Sequence, residues 1–472
     1  MSFWALDRTA RPRVPEGIAW WVLLAAVLTL YLGVHWIAAL AVLALAVAQR
    51  ARPLDVLQAY LMVVGGATFI NYTRGGLTHE LSLLSLGILF MLFCYVMAFR
   101  SEMFVIRRAA VTVPLLCYLG LSFLNFLRGL AVGNSTRYAG LEILAALALG
   151  SCLLVANLRF DRVRLATMAA VLWVIGLGHC ALGLYIFSKI HVRAGSIYFT
   201  AVPGLVAVLL FNLALRARRS RTRWALMLAL LPLLTHQFLS FTRGYWLGLI
   251  GSALFSIAVH GGRGPGSRGR WLLSVRLLAG LAGLVVVGGV LLSVVFNIRN
   301  LADLALSRLS SSTGTEFTFE TSSNIVRLVE YARVLDDIVL APWLGHGLGY
   351  FFVVREPLHQ QLLEQWFVHQ NYLLVWLKQG LLGLALFVTM LVAAVRTGLD
   401  GRRLEEPLAA AWCTGAAAAT VFVMIDSFVH FPLAEVNATF PIALLWGGAI
   451  ALTARGRWRV RWRPPAGAGG AD

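Results

Sequence analysis

The 472-residue chain is 59% hydrophobic and only 13% charged, whereas soluble domains carry about 25% charged residues. This composition excludes an ordinary soluble domain and predicts a polytopic membrane protein. The formal net charge of +19 does not indicate nucleic-acid binding, because the 40 cations cluster in short segments between apolar stretches. No nucleic-acid partner is therefore expected.

Apolar segments follow one another along most of the chain and predict membrane-spanning helices. They lie at 18–34, 35–49, 54–72, 79–99, 109–127, 138–156, 165–187, 196–215, 223–239, 243–260, 271–296, 370–395, 408–430 and 432–454. A span needs about 20 apolar residues, and the first two segments are shorter than that. Only Phe431 and Pro432 separate the last two segments. We therefore predict an all-α polytopic protein with about 12–14 transmembrane helices.

Arginine-rich segments occur between every second pair of apolar stretches and set the orientation. They read "QRARP", "RSEMFVIRR", "NLRFDRVR", "RARRSRTR", "HGGRGPGSRGR", "RTGLDGRR" and "RGRWRVRWR". Because cytoplasmic loops carry the excess of arginine and lysine, both termini are predicted to lie in the cytoplasm. The pattern divides the chain into transmembrane helices (1–296), an outer loop on the side opposite to the cytoplasm (297–369), further transmembrane helices (370–454) and a basic cytoplasmic tail (455–472).

The long polar loop is predicted to contain amphipathic helices. Six apolar residues recur there at helical spacing, namely Ile325, Leu328, Val329, Ala332, Leu335 and Val339. The segment "APWLGHGLGYF" contains the proline and glycines that end this helix in a turn, and a second amphipathic segment covers about 355–368. Since each helix has one apolar face, we expect them to lie over the membrane domain as a lid.

Two arginines on the outer side are candidate catalytic residues. Arg243 begins a helix in "SFTRGYW", where a cation opposes the helix dipole and an anion would compensate for it. Arg327 lies beside the apolar stripe of the loop helix, although a pair with Glu330 or Glu364 explains it equally well. Arg193, in "HVRAGSIYF", also faces outward and could contact an anion.

His369 is the third catalytic candidate, in "FVHQNYLLVWLKQGLLG", residues 367–383. Near the positive end of a helix, its imidazole should stay neutral and could take a proton from a sugar hydroxyl. The alternative is an interfacial histidine that binds headgroups. Gly380 and Gly383 lie deeper and are expected to be close-packing positions rather than ligands.

Other polar residues give weaker signals. His346 and His359 share the loop with His369, but their spacing matches no zinc pattern, so neither a metal nor a cofactor is predicted. Asp426 lies near the outer end of a late span and could orient a base or pair with an arginine.

Together these motifs resemble the O-antigen ligases of the O-antigen ligase and polymerase superfamily. The ligase motif is His, a small polar residue, nine variable positions and GxxG, which His369, Gln370, Gly380 and Gly383 match. "SFTRGYW" and "APWLGHGLGYF" resemble further superfamily segments. "VRAGSIYF" resembles the segment around an upstream arginine, although the Asn-Pro usual after it is missing.

The resemblance implies a glycosyltransferase of the bacterial inner membrane with GT-C-like architecture and a periplasmic site. Such enzymes transfer O-antigen from undecaprenyl diphosphate to the lipid A–core oligosaccharide, by inversion and without a metal. His369 would then be the general base, Arg243 and Arg327 would stabilise the diphosphate, and Arg193, Gln370 and Asn371 would bind substrate.

Two other functions remain open from the sequence. An O-antigen polymerase or another lipid-linked glycan transferase shares the superfamily features. A transporter or flippase would show acids or broken helices at midmembrane depth, preferably in paired halves, whereas this chain gathers polar residues at the outer surface.

Overall fold

The computed structural model describes residues 105–157, 160, 162–190, 201–240, 242–261, 319–355, 362–434, 436–454 and 457–459, with the single positions 272, 275, 279 and 283. All of them belong to one compact unit, Val96–Asp472. The spans predicted before residue 105, most of the span predicted at 271–296 and Arg193 lie outside the described residues.

The described part of the chain is dominated by helices. In chain order they are α1 (Thr112–Ala131), α2 (Thr136–Val155), α3 (Arg162–Ile190), α4 (Val202–Arg216), α5 (Ser220–Leu239), α6 (Arg243–Gly261), α7 (Phe319–Leu340), α8 (Asn371–Asp400), α9 (Pro407–Asp426) and α10 (Val436–Thr453). Two short 3₁₀ turns, Gly401–Arg403 and Pro432–Ala434, follow α8 and α9.

The helices confirm the predicted all-α polytopic membrane fold. From 109–127 to 243–260, and again from 370–395 onward, every apolar segment coincides with a helix apart from residues at its ends. Within the described residues, 5 helices are long and apolar enough to cross a membrane. The predicted total of spans includes segments outside the described residues and stays a prediction.

Helix α9 lies at the centre of the described bundle. It packs against α4, α6, α8 and α10, and its sequence "PLAAAWCTGAAAATVFVMID" is rich in alanine. Small side chains let neighbouring helices approach closely. They are therefore enriched where helices pack inside a membrane, because the hydrophobic effect does not drive helices together there. Helix α8 packs against α1 as well as α9, and α10 packs against α2.

The outer segment differs from the prediction in two ways. Its second part is a β-hairpin rather than an amphipathic helix, with β2 (Phe352–Arg355) paired antiparallel to β3 (Leu362–Gln365). The apolar stripe of α7 is also not its packed face, because Leu328 and Val339 are exposed while Val334 and Ile338 are buried. Helical spacing identified the amphipathic helix, but the spacing alone does not show which face meets the protein.

Opposite ends of the bundle have different chemistry. At one end, Arg216 donates from Nη2 to the Arg402 carbonyl oxygen at 2.9 Å, which joins the basic turns after α4 and α8. The same end carries a small antiparallel sheet of β1 (Val105–Arg107) and β4 (Arg457–Arg459), since Arg107 donates to the Ala451 carbonyl near the end of α10. At the other end, the first residue of α8 meets the turn after α9, and α7 joins them.

Candidate functional site

His369 is held by a buried carboxylate from α7. The backbone N–H of His369 donates to Glu330 Oε1 at 2.6 Å, and the ring atom Nδ1 lies 2.7 Å from Glu330 Oε2. The Glu330 side chain is fully buried, while that of His369 is 26% exposed. When Nδ1 donates its proton to the carboxylate, the other ring nitrogen, Nε2, is the basic atom.

Glu330 is a functional candidate whose contact with His369 the sequence pattern did not indicate. The pattern offered Glu330 as a partner for Arg327, and in the structure both of its oxygens bond to His369. Glu364, the other suggested partner, lies exposed on β3. An acid on the loop helix was visible in the sequence, whereas its contact with a histidine 39 residues later depends on how α7 packs.

Arg327 is brought near His369 through Tyr331. The Tyr331 hydroxyl donates to the His369 carbonyl oxygen at 3.5 Å. Burial raises the pKa of the Tyr331 hydroxyl, and the charge of Arg327, one helical turn earlier, acts against that rise. Arg327 therefore lies within electrostatic range of Tyr331, which contacts the His369 backbone, and its role in the site stays a prediction.

Phe367 and Phe431 form an aromatic wall beside the His369 ring. Phe367 meets it edge-on, with ring centroids 5.3 Å apart, and Phe431 meets it at 6.2 Å. The two phenylalanines also contact each other at 4.9 Å. Such a wall limits the rotation of the imidazole and lowers the local dielectric constant, which strengthens its bond to Glu330.

The N-terminus of α6, where Arg243 lies, reaches the same wall. Tyr245, two residues after Arg243, packs edge-on against His430 at 5.4 Å, and His430 stacks on Phe431 at 4.9 Å. The structure thus brings the Arg243 segment and the His369 segment to one end of the bundle. His430 is a contact that the sequence analysis did not single out.

Asp426 lies beneath the start of α6. It is fully buried, and its Oδ2 atom is 3.5 Å from Nδ1 of His430. A Cβ atom on Gly244 would come within 2.4 Å of Asp426 Oδ1, so a glycine is needed for this close approach. The acid therefore lies beside a histidine, and its two suggested roles, orienting a base or pairing with an arginine, stay predictions.

The two residues after His369 have different environments. Gln370 is the N-cap of α8 and lies next to the site with an extended backbone. Asn371 is only 2% exposed, and its N–H donates to the Ser427 carbonyl oxygen at 2.9 Å. Asn371 also lines a small pocket of about 50 Å³ together with Tyr118 and Lys378. Gln370 therefore stays a candidate contact for substrate, while Asn371 faces the interior of the bundle.

Gly380 breaks α8, and the turn after α7 fills the break. Gly380 has φ 70° and ψ −174° inside an otherwise helical run. A Cβ atom there would come within 2.1 Å of the Trp343 carbonyl oxygen. Leu381 N–H donates to the Pro342 carbonyl at 2.8 Å, and Gly347 N–H donates to the Lys378 carbonyl at 2.9 Å. Gly380 is therefore a close-packing position, as expected, but the backbone that packs against it belongs to a loop rather than to another helix.

A buried ion pair fixes the same turn. Lys378 Nζ lies 2.7 Å from Glu142 Oε1, and both side chains are buried. Glu142 Oε2 accepts from Gly349 N–H at 2.7 Å, and Lys378 donates to the Tyr350 carbonyl. The sequence analysis missed this pair because each residue is an isolated charge within an apolar segment.

His346, the other described loop histidine, bonds to and packs against neighbouring residues of the loop. Its Nε2 lies 2.8 Å from the Asp337 carbonyl oxygen, and its ring stacks on Tyr350 at 4.2 Å. Among the described residues, no group of three or more His, Cys, Asp or Glu side chains could hold a metal ion. His359 lies outside those residues.

The described bundle and its site define a multi-pass membrane protein with a polar histidine–carboxylate site at one end of its spans. Residues 228–388, about a third of the chain, match the sequence profile of the O-antigen ligase family. This match confirms the resemblance to that family and indicates glycosyl transfer of the O-antigen ligase or polymerase type. The matched segment includes Arg243, Arg327 and His369. A search of curated protein sequences finds no match to the chain.

Proposed function

We propose that the protein is an O-antigen ligase of the bacterial inner membrane, with GT-C-like architecture and a site that faces the periplasm. It transfers O-antigen polysaccharide from an undecaprenyl-diphosphate-linked donor to the lipid A–core oligosaccharide. The observation that carries the proposal is the contact of His369 with Glu330, which creates a base within the family-matched segment.

The proposed reaction begins at His369. Its Nε2 atom accepts the proton of an acceptor hydroxyl while that oxygen attacks the anomeric carbon of the donor sugar. The Glu330 carboxylate stabilises the resulting imidazolium through Nδ1–H. The bond between the anomeric carbon and the diphosphate oxygen breaks in the same step, so the anomeric centre inverts without a covalent intermediate.

The leaving group is a lipid diphosphate that gains charge as this bond breaks. Arg243 and Arg327 come from two segments at the same end of the bundle and would stabilise that charge through hydrogen bonds to phosphate oxygens. The mechanism therefore needs no metal ion. Gln370, Asn371 and Arg193 remain the proposed substrate-binding residues, with Gln370 favoured because it borders His369.

The runner-up is polymerisation of O-antigen units, or transfer of a lipid-linked glycan to another acceptor, because the family profile covers this type of chemistry. Transport is less well supported. A broken helix and a buried ion pair do occur, as a transporter would require, but loop backbone fills the break at Gly380. The family match also favours transfer.

Complementation tests the proposal. The wild-type chain, His369→Ala and His260→Ala would be expressed in a Gram-negative strain of matched core type that makes O-antigen but lacks its ligase. His260 lies at the far end of α6 and is the matched control, bonded there to the Ser256 carbonyl at 2.8 Å. The readout is the lipopolysaccharide ladder on a gel, with membrane expression measured for each variant.

We expect a ladder from wild type and from His260→Ala, and none from His369→Ala. A ladder from all three would remove His369 from the mechanism. A second strain that lacks only its polymerase separates the runner-up, because conversion of single repeats to long chains there would identify a polymerase. A wild-type chain that is expressed but inactive with purified donor and lipid A–core would contradict ligation.

A further inference from the structure

Helix α7 has two opposite faces of different chemistry, and its apolar face points away from the protein. The face that meets the protein contains Glu330, Val334, Asp337 and Ile338, each no more than 3% exposed. Opposite to it, Leu328 is 66% exposed, Leu335 45% and Val339 75%. A contiguous apolar stripe of this kind is unfavourable in water and normally marks a contact with protein or lipid.

The stripe continues through Leu340, the last residue of α7, into the turn that follows. Leu340, Trp343 and Leu344 are exposed by 77%, 70% and 50%. We call these three residues, together with Leu328, Leu335 and Val339, the outer stripe. Its members lie on one helix and the turn that directly follows it.

The outer stripe lies alongside the first third of α8. Glu330 bonds to His369 just before α8 begins, and Pro342 accepts from Leu381, ten residues into α8. Helix α7 therefore runs in the same direction as α8, from the level of His369 to that of the break at Gly380. At 1.5 Å per residue, the nine residues from Asn371 to Gly380 correspond to about 13 Å.

The length of α8 places this depth within the bilayer. Its 30 residues extend about 45 Å, which matches a hydrocarbon core plus both headgroup layers. A point about 13 Å from its start has therefore passed the headgroups and entered the acyl chains. The turn that contacts Leu381 lies at that depth.

The backbone of the turn is bonded as a segment inside a membrane must be. From Gly345 to Gly349 every N–H donates to a protein acceptor, including Asn125 and Leu377 carbonyls and the Glu142 carboxylate. The backbone carbonyl oxygens of His346 and Leu348 accept from Asn134 Nδ2, and that of Leu344 accepts from the Arg128 side chain. Irregular backbone is tolerated at membrane depth only when its polar groups are satisfied within the protein.

We propose that the C-terminal half of α7 and the turn to Tyr350 are inserted into the bilayer leaflet on the His369 side. The part of the outer stripe from Leu335 onward is then in contact with lipid, whereas Leu328 lies at the membrane surface. Trp343, whose carbonyl oxygen lies against Gly380, is then at the inner end of the inserted segment. Arg333, paired with Asp337 at 2.9 Å, flanks the stripe at headgroup level. The segment is thus a membrane-inserted wedge rather than a lid above the membrane.

Site-specific fluorescence quenching tests the insertion in the full chain, reconstituted in phospholipid vesicles. Val339→Cys and Leu335→Cys are labelled with bimane in a background whose native cysteines are replaced. Leu247→Cys, on spanning helix α6 and 55% exposed, is the lipid-facing control. Arg219→Cys, in the exposed turn between α4 and α5, is the water-facing control.

We expect doxyl-labelled lipid to quench positions 339 and 335 as strongly as position 247, and several-fold more than position 219. Iodide should show the reverse order. Quenching by iodide at 339 as strong as at 219 would place the stripe in water, and no quenching by either agent would place protein over it. Both results overturn the proposal.

If the cysteine-free background does not fold, a photo-cross-linking amino acid at position 339 of the native sequence decides the same question. Cross-linked phospholipid supports insertion, and its absence overturns it. None of these measurements depends on transferase activity, so they stand apart from the proposed function.

Discussion

Glu330 is the residue on which the chemistry of His369 depends most directly. We predict that Glu330→Gln lowers turnover about 100-fold or more with little change in KM. The amide nitrogen of glutamine would face Nδ1 and force it to accept, so the proton would move to Nε2 and the base would be lost. The measurement is the rate of transfer by purified protein from lipid-linked donor to lipid A–core.

Two control variants separate this effect from damage to the fold. Asp336→Asn changes an exposed acid on the same helix and should keep wild-type turnover. Glu330→Asp keeps the charge and should recover part of the lost rate. Equal activity of Glu330→Gln and wild type would show that the carboxylate does not set the tautomer of His369.

At the scale of the element, helix α8 breaks at Gly380, the first glycine of the ligase-like motif. We predict that Gly380→Ala destabilises the protein, by about 1–3 kcal/mol from the backbone conformation alone. The methyl group would also clash with the Trp343 carbonyl at 2.1 Å. Thermal unfolding in detergent measures the loss.

Gly120→Ala is the matched control for this variant. Gly120 lies within α1, and a Cβ atom there would meet nothing within 4 Å. The exchange should therefore be neutral or slightly stabilising, because alanine favours a helix over glycine. If Gly380→Ala and Gly120→Ala unfold at the same temperature, the turn does not depend on Gly380.

The elements also show where sequence reasoning reaches its limit. Apolar segment length predicted the helices of the described residues to within a few residues at most ends, because hydrocarbon thickness fixes that length. The packed face of α7 and the β2–β3 hairpin were not predicted, since each depends on partners distant in sequence. The Glu142–Lys378 pair joins residues 236 positions apart for the same reason.

The same limit applies to the candidate site. Motif resemblance identified His369, Arg243 and Arg327, and the structure places their segments at one end of the bundle. It could not identify Glu330 as the partner of His369, because a carboxylate on an amphipathic helix has no local signal for the residue it will contact. Tertiary packing of α7 supplies that information.

At the scale of the whole molecule, the contrast between its two ends predicts its orientation. Arg216 and Arg402 join the basic turns at one end, and Tyr138, near the start of α2, stacks on Trp366 at 5.5 Å near the site at the other. Because arginine-rich loops remain in the cytoplasm, the site end is predicted to face the periplasm.

Cysteine labelling measures this orientation with matched arginine substitutions. In a cysteine-free background, Arg137→Cys at the site end should react with a membrane-impermeant maleimide in cells whose outer membrane is permeabilised. Arg219→Cys and Arg402→Cys, exposed at the basic end, should react only after the inner membrane is broken. The reverse pattern would place His369 in the cytoplasm, where no lipid A–core acceptor of a periplasmic ligase is presented, and the proposed function would fail with it.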